Sequence, residues 1–311
     1  MSHFTVLVVG EDADKQLAPY HEFECTGVDD QYILDIDITD EARSAHILYQ
    51  SSNKGEEREN ESFGTWLEGW YGIHVVPVGE NPDTEETHKF GYALQNEAGE
   101  IIKVVRRTNP SAQWDWYTVG GRWNGFFKLK AGAIGVVGEP GLQIMDEDYT
   151  PPENDRADCT RKGDIDFTEM RFQSAEKAAK QWDKVMNVLT QYEPIKLWED
   201  TLKEFGEGRS DDARTAYGNQ PGVKAMRSNG DLTWLSADDF VKTTRDKYIQ
   251  NAINGAISTY AVVKDGKWYE KGEMGWWGIS LNEDGNWNEK FSELLDSLTD
   301  DTLLTIVDCH I

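Results

Sequence analysis

The chain has 311 residues, enough to bury a sizeable core and to form more than one domain, and it carries 57 acidic against 31 basic side chains for a formal charge of −26. Phosphate binding rests on Lys and Arg, so a charge of this sign disfavours direct contact with nucleic acid or an anionic membrane. The three cysteines, Cys25, Cys159 and Cys309, are widely spaced and build neither a disulfide framework nor a C-x-x-C metal site, which points to a reducing compartment.

The β-branched run Phe4 to Val9, closed by Gly10, predicts a buried strand; it is too short for a membrane span and lacks a basic leader. The acidic segment that follows holds Glu11, Asp12, Asp14, Glu22, Glu24, Asp29, Asp30, Asp35, Asp37, Asp40 and Glu41, opposed by Lys15 alone. Such a surface serves solubility or imitates a phosphate backbone toward a basic partner. Helices are expected around Thr39 to Tyr49 and Glu61 to Tyr71. In the second, Trp66 and Trp70 stand one turn apart beside Tyr71, either as core or as anchors for a protein partner. The basic residues Lys103, Arg106, Arg107, Arg122, Lys128 and Lys130 read as a solvated face paired with acids elsewhere.

Two aromatic and glycine-rich stretches stand out: Trp114-Asp115-Trp116-Tyr117-Thr118-Val119-Gly120-Gly121-Arg122-Trp123, and Trp268 to Trp277. Strand alternation would place Trp114 and Trp116 on one face, with Gly120-Gly121 giving a turn or a close backbone approach. The stretches fit core packing. They also fit the pocket of a small-molecule binding protein or enzyme, nucleotides included, in which Trp114, Trp116, Tyr117 and Trp123 surround Arg122. Trp276 and Trp277 join the candidate protein anchors.

Residues 145–158 read as a polar loop. A helix follows from Arg171 to Gln191 with Ser174 as its N-cap, a second runs from Pro194 to Phe205, and a third begins at Ser236. Asp265-Gly266 predicts a two-residue hairpin turn, Trp287 to Leu298 an amphipathic helix, and Leu303 to Ile311 a last strand. Both terminal strands must be buried, so they are expected in one sheet. The fold class is α+β: a mixed or antiparallel sheet containing both terminal strands, with a helical insertion. The divisions are 1–154, an α+β region with an acidic arm; 155–254, the helical insertion; and 255–311, a hairpin, helix and strand completing the sheet.

Chemical motifs are sparse. No histidine pair has zinc spacing, and there is no nucleophile elbow or phosphate loop, so neither a cofactor nor a metal is expected and catalysis is not. If the terminal strands pair, His3 approaches Asp308 and His310; a polar sheet edge explains these three as well as a metal does.

The opening Met1-Ser2-His3-Phe4-Thr5-Val6-Leu7-Val8-Val9-Gly10, Gln16 to Glu22, Trp114 to Tyr117, Gly120-Gly121-Arg122-Trp123, Gly163 to Asp166, and the close from Asp300 to His310 resemble a family of large, mostly uncharacterised proteins of tailed phages and prophages. Within it, size and charge are similar to those of the Gabija anti-defence proteins, phage inhibitors of a bacterial nuclease–helicase complex. That resemblance implies a non-catalytic, oligomeric protein of the host cytoplasm that binds a host defence complex and blocks its access to DNA. It implies no particular contact residue.

Overall fold

The computed structural model describes residues 2–22, 30–55, 57–141, 150–206, 208–274 and 280–311. Strand β1 (His3–Val9) leads through the short helix α1 (Ala13–Leu17) into a separate layered unit. There β2 (Leu34–Asp37), α2 (Thr39–Ser52), α3 (Phe63–Tyr71), β3 (His74–Val76), β4 (Gly91–Gln95) and β5 (Ile101–Thr108) give a four-stranded sheet in the order β2-β5-β4-β3. Helix α2 turns Ala42, Ala45, His46 and Tyr49 inward at helical spacing. They meet Trp66, Leu67, Ile73, Ala93 and Val104, so this unit has its own core.

The chain returns at β6 (Trp116–Val119), followed by β7 (Phe127–Lys128), which pairs with β8 (Arg156–Ala157), and by β9 (Cys159–Arg161). Six helices come next: α4 (Phe167–Leu189), α5 (Trp198–Phe205), α6 (Ser210–Gly218), α7 (Pro221–Arg227), α8 (Ala237–Val241) and α9 (Arg245–Gly255). The C-terminal part holds β10 (Ala261–Lys264), β11 (Lys267–Glu270), the small pair β12 (Glu273–Met274) and β13 (Ser280–Leu281), helix α10 (Trp287–Ser297) and strand β14 (Leu303–His310).

The principal sheet runs β11-β10-β1-β14-β6, with β9 on the other half of β14. β1 pairs antiparallel with β14 and parallel with β10, so the fold is α+β with a mixed sheet that contains both terminal strands. Both faces of β1 are covered, which explains its almost unbroken apolar run. Leu7, Val9, Val262, Leu304 and Ile306 meet Met170, Trp287, Phe291 and Leu295 on one face. Val6, Val8, Val263, Val307 and Cys309 meet Leu17 and Trp114 on the other. Each fully buried aliphatic side chain contributes about 1.5–3 kcal/mol.

The hairpin forms as expected, with Asp265 at φ 53° and Gly266 at φ 69°. Helix α10 begins at Trp287 as expected, and α2 runs one turn past Tyr49. The cap on α4 differs: Asp166 accepts the Glu169 N–H at 2.9 Å and starts the helix at Phe167, while Ser174 lies inside it and donates to the Ala252 carbonyl of α9. The helix expected from Pro194 begins at Trp198, because Gln220 holds the backbone of Lys196 in extended form and Asp238 accepts the Trp198 N–H at 2.9 Å. Ser236 flanks α8 without a capping hydrogen bond from its side chain.

Around Trp182 and Val185 of α4, residues Tyr217, Met226, Leu232 and Phe240 form a third core, tied by Tyr217 Oη donating to buried Asp238 at 2.7 Å. The basic strand β5 is neutralised by the acidic segment: Arg107 meets Asp35 at 3.2 Å and Arg106 meets Glu41 at 3.8 Å. Among the described residues, no helix is long and apolar enough to cross a membrane.

Candidate functional site

Cross-strand register sets the site. His3 lies opposite His310, which lies opposite Trp116, and one step inward Thr5 and Asp308 face each other. Period-two alternation puts all five on the face that carries Leu7 and Ile306. At that end of the sheet the apolar layer gives way to imidazoles and a carboxylate.

Asp308 is 2% exposed, and both of its oxygens have partners. His3 Nδ1 lies 2.8 Å from Oδ1, and the backbone N–H of Arg122 donates to Oδ2 at 2.9 Å. Asp308 is thus held from two sides, and the ring edge that His3 turns toward it is the Nδ1 edge. No described group hydrogen-bonds His3 Nε2.

The Gly120-Gly121 turn makes this possible. Gly121 has φ 56°, and a β-carbon there would meet the Asp308 side chain at 2.2 Å, so only glycine lets the turn wrap the carboxylate closely enough to donate to it. Behind His3 the wall is aromatic. The His310 ring packs against His3 at 5.0 Å between centroids and stacks on Trp116 at 4.9 Å, while its Nδ1 is 2.7 Å from Asp115 Oδ1. His310 Nε2 is buried and has no partner among the described residues.

His3 opens on a cleft of about 420 Å³ whose walls include Trp123, Lys271, Glu283 and Asn288. Thr5 and Ser258 add hydroxyls to it. The far wall is held by a chain of backbone and indole contacts. Lys271 N–H donates to the Tyr260 carbonyl at 2.8 Å, Asp284 N–H to the Lys271 carbonyl at 2.7 Å, and the Trp287 indole to the Thr259 carbonyl at 2.7 Å. These fix the start of α10, and with it Asn288, against the sheet end. Lys271 Nζ and Glu283 Oε2 form an ion pair at 2.7 Å, so these two opposite charges of the lining offset each other.

The aromatic residues of the sequence-derived pocket do not share one surface. The strand starts at Trp116 and the chain bends at Asp115, so Trp114 falls on the opposite face of the sheet from Trp116, correcting the alternation expected. Trp114 is buried there, its indole donating to the Leu17 carbonyl at 3.2 Å. Tyr117 packs on Trp114 and donates to Asp14; burial, then that hydrogen bond, push its phenol well above the ordinary value. Arg122 serves Asp308 through its backbone, and its exposed side chain is not among the residues lining the cleft. Of that set, Trp123 lines the cleft.

Of the candidate protein anchors, Trp66 is buried under α2 while Trp70 is 61% exposed and meets Tyr49 edge-on. Tyr71 is half-buried, with Arg106 over its ring. Trp276 and Trp277 lie outside the described residues. His3, Asp308 and His310 form two separate pairs with carboxylates, and among the described residues no cluster of three or more His, Cys, Asp or Glu is placed to hold a metal ion.

Sequence reasoning passed over Asp158, which it left in a polar loop. This carboxylate is fully buried and accepts from the backbone N–H groups of Gly125, Phe126 and Gly138 at 2.8–2.9 Å and from Asn124 Nδ2 at 3.2 Å. It braces the segment that carries Trp123. Its one available signal is that it precedes the alternating Cys159-Thr160-Arg161. Lys271 lies within the Trp268 to Trp277 stretch without being marked out there, and Glu283 and Asn288 carry no motif at all. Compared with protein-family models, with curated proteins and with solved structures, the chain matches none.

Proposed function

We propose that the protein binds a small polar molecule in the cleft between the His3 end of the sheet and the start of α10. The observation that supports this most is the convergence of His3, Trp123, Lys271 and Asn288 on one concavity, with the imidazole oriented from behind by a buried carboxylate. The volume falls in the range of small-ligand pockets, and the lining pairs an indole with a few polar groups, as such sites do. A nucleotide fits this lining poorly, because the guanidinium expected to hold its phosphates is not among the residues that line the cleft.

The test is a thermal-shift screen against neutral, zwitterionic and anionic metabolites, repeated on Trp123→Ala. A ligand at 100 times its Kd stabilises by about 2.7 kcal/mol. The reading requires a shift that Trp123→Ala removes. A screen without any shift overturns it.

A second reading, docking to a basic host complex of the Gabija type from the host cytoplasm by several copies acting together, draws on the charge of −26 and on the 61% exposure of Trp70. Long-range attraction to a basic surface followed by burial of an indole anchor is the expected order of events. Co-purification of Gabija subunits with the wild type at moderate salt, lost in Trp70→Ala, is its expected result.

A further inference from the structure

Resting on that small-molecule reading, we infer that the cleft is catalytic and hydrolyses a small ester that carries no net negative charge, with His3 as the general base. The geometry has the parts such a reaction needs. Asp308 Oδ1 lies 2.8 Å from His3 Nδ1; in the proposed role Nδ1–H donates to it and the Nε2 lone pair is the proton acceptor, the part an imidazole plays when a buried carboxylate orients it. The carboxylate is itself fixed by the Arg122 N–H and packed against Gly121, so the dyad is rigid before any ligand arrives. Lys271 and Asn288 supply N–H donors on the cleft wall for a carbonyl oxygen as it becomes an oxyanion.

The reaction is a hydrolysis without redox change. A water oxygen bonds to the ester carbonyl carbon while one of its protons passes to His3 Nε2. The carbon–oxygen bond to the alcohol then breaks, and the proton on Nε2 goes to the departing oxygen. The products are a carboxylic acid and an alcohol, and His3 is regenerated.

The substrate class follows from charge. Among the described residues the one lining ammonium, on Lys271, is already matched by Glu283 at 2.7 Å, Asp308 stands behind His3, and the chain as a whole carries −26. A phosphate dianion entering this cleft meets no uncompensated cation and is repelled at long range. A neutral or zwitterionic ester meets neither penalty.

The experiment compares p-nitrophenyl acetate with p-nitrophenyl phosphate. The wild type is expected to hydrolyse the acetate with saturation. His3→Gln should lower kcat/KM by about 10²-fold or more, the ordinary contribution of a general base. His74→Gln, on the other sheet, should leave it unchanged. Lys271→Met changes a half-buried side chain of the cleft wall and should lower kcat more than it raises KM. Equal activity in His3→Gln or in Lys271→Met, or faster turnover of the phosphate, overturns the inference. If the acetate is not hydrolysed while the thermal-shift ligand still binds, catalysis is overturned and the binding reading stands; if both fail, both fall.

Discussion

Gly121 and Asp308 are packed so closely that a β-carbon on the first would lie 2.2 Å from the β-carbon of the second. With φ at 56° as well, Gly121→Ala is strained in its own backbone and drives Asp308 away from His3. The expected result is a loss of about 2–4 kcal/mol in denaturant unfolding together with loss of cleft binding. Gly266→Ala, also at positive φ but with open space around it, should cost about 1 kcal/mol and leave the cleft unaffected.

Part of this site is written in local sequence, and part is not. Phe4 to Val9 and Leu303 to His310 declare themselves as strands because both are apolar on both faces, and their pairing brings His3 to Asp308 as the sequence suggests. Trp114 and Trp116 mislead because alternation presumes a regular strand through Asp115, where the chain bends. The Gly120-Gly121 pair announces a close approach without saying to what. Lys271, Glu283 and Asn288 reach the cleft through tertiary contacts such as Trp287 to Thr259, which no periodicity encodes. Asp158 hides among many exposed acids of similar local context.

Asp158 accepts four hydrogen bonds from the segments around β7 and the Gly138 turn. Asp158→Ala leaves three half-buried backbone N–H groups without that acceptor. A destabilisation of about 3–5 kcal/mol is expected, on the scale seen when one partner of a buried charged network is removed. Asp158→Asn keeps shape and loses charge, and should fall between the two. Urea unfolding midpoints check both.

Tyr217 is buried against Asp238, and its phenol is pushed well above the ordinary value by burial first, then by the hydrogen bond to Asp238 and its charge. The folded state therefore holds the neutral phenol after the unfolded chain has begun to ionise near pH 10. This contribution to stability is complete below that pH and is lost as pH rises toward the folded value. Tyr217→Phe should be less stable than the wild type at neutral pH by about 1 kcal/mol, with a shallower decline above pH 10. Absorbance at 295 nm during alkaline titration should show this phenol ionising with unfolding in the wild type.

The two tryptophans of α3 divide cleanly. Trp66 is 4% exposed in the core beneath α2, and Trp66→Ala is expected to destabilise by about 3–5 kcal/mol. Trp70→Ala should stay within about 0.5 kcal/mol of the wild type. A matching loss of stability in both would mean that Trp70 packs more tightly than its exposure indicates.

β1 and β14 form the centre of the principal sheet, yet His3 and Asp308 are 305 positions apart. Pairing so distant in the chain makes folding slow, since loop closure must precede the contacts that reward it. On the ribosome, the apolar run Phe4 to Val9 emerges well before β14 and waits for that partner while the segments between them are made. The helical unit and the smaller sheet can consolidate meanwhile, each around its own core. The cleft is thus assembled after those two units, and a chain stalled before β14 would hold two finished sub-structures, an unpartnered sticky strand, and no His3 site.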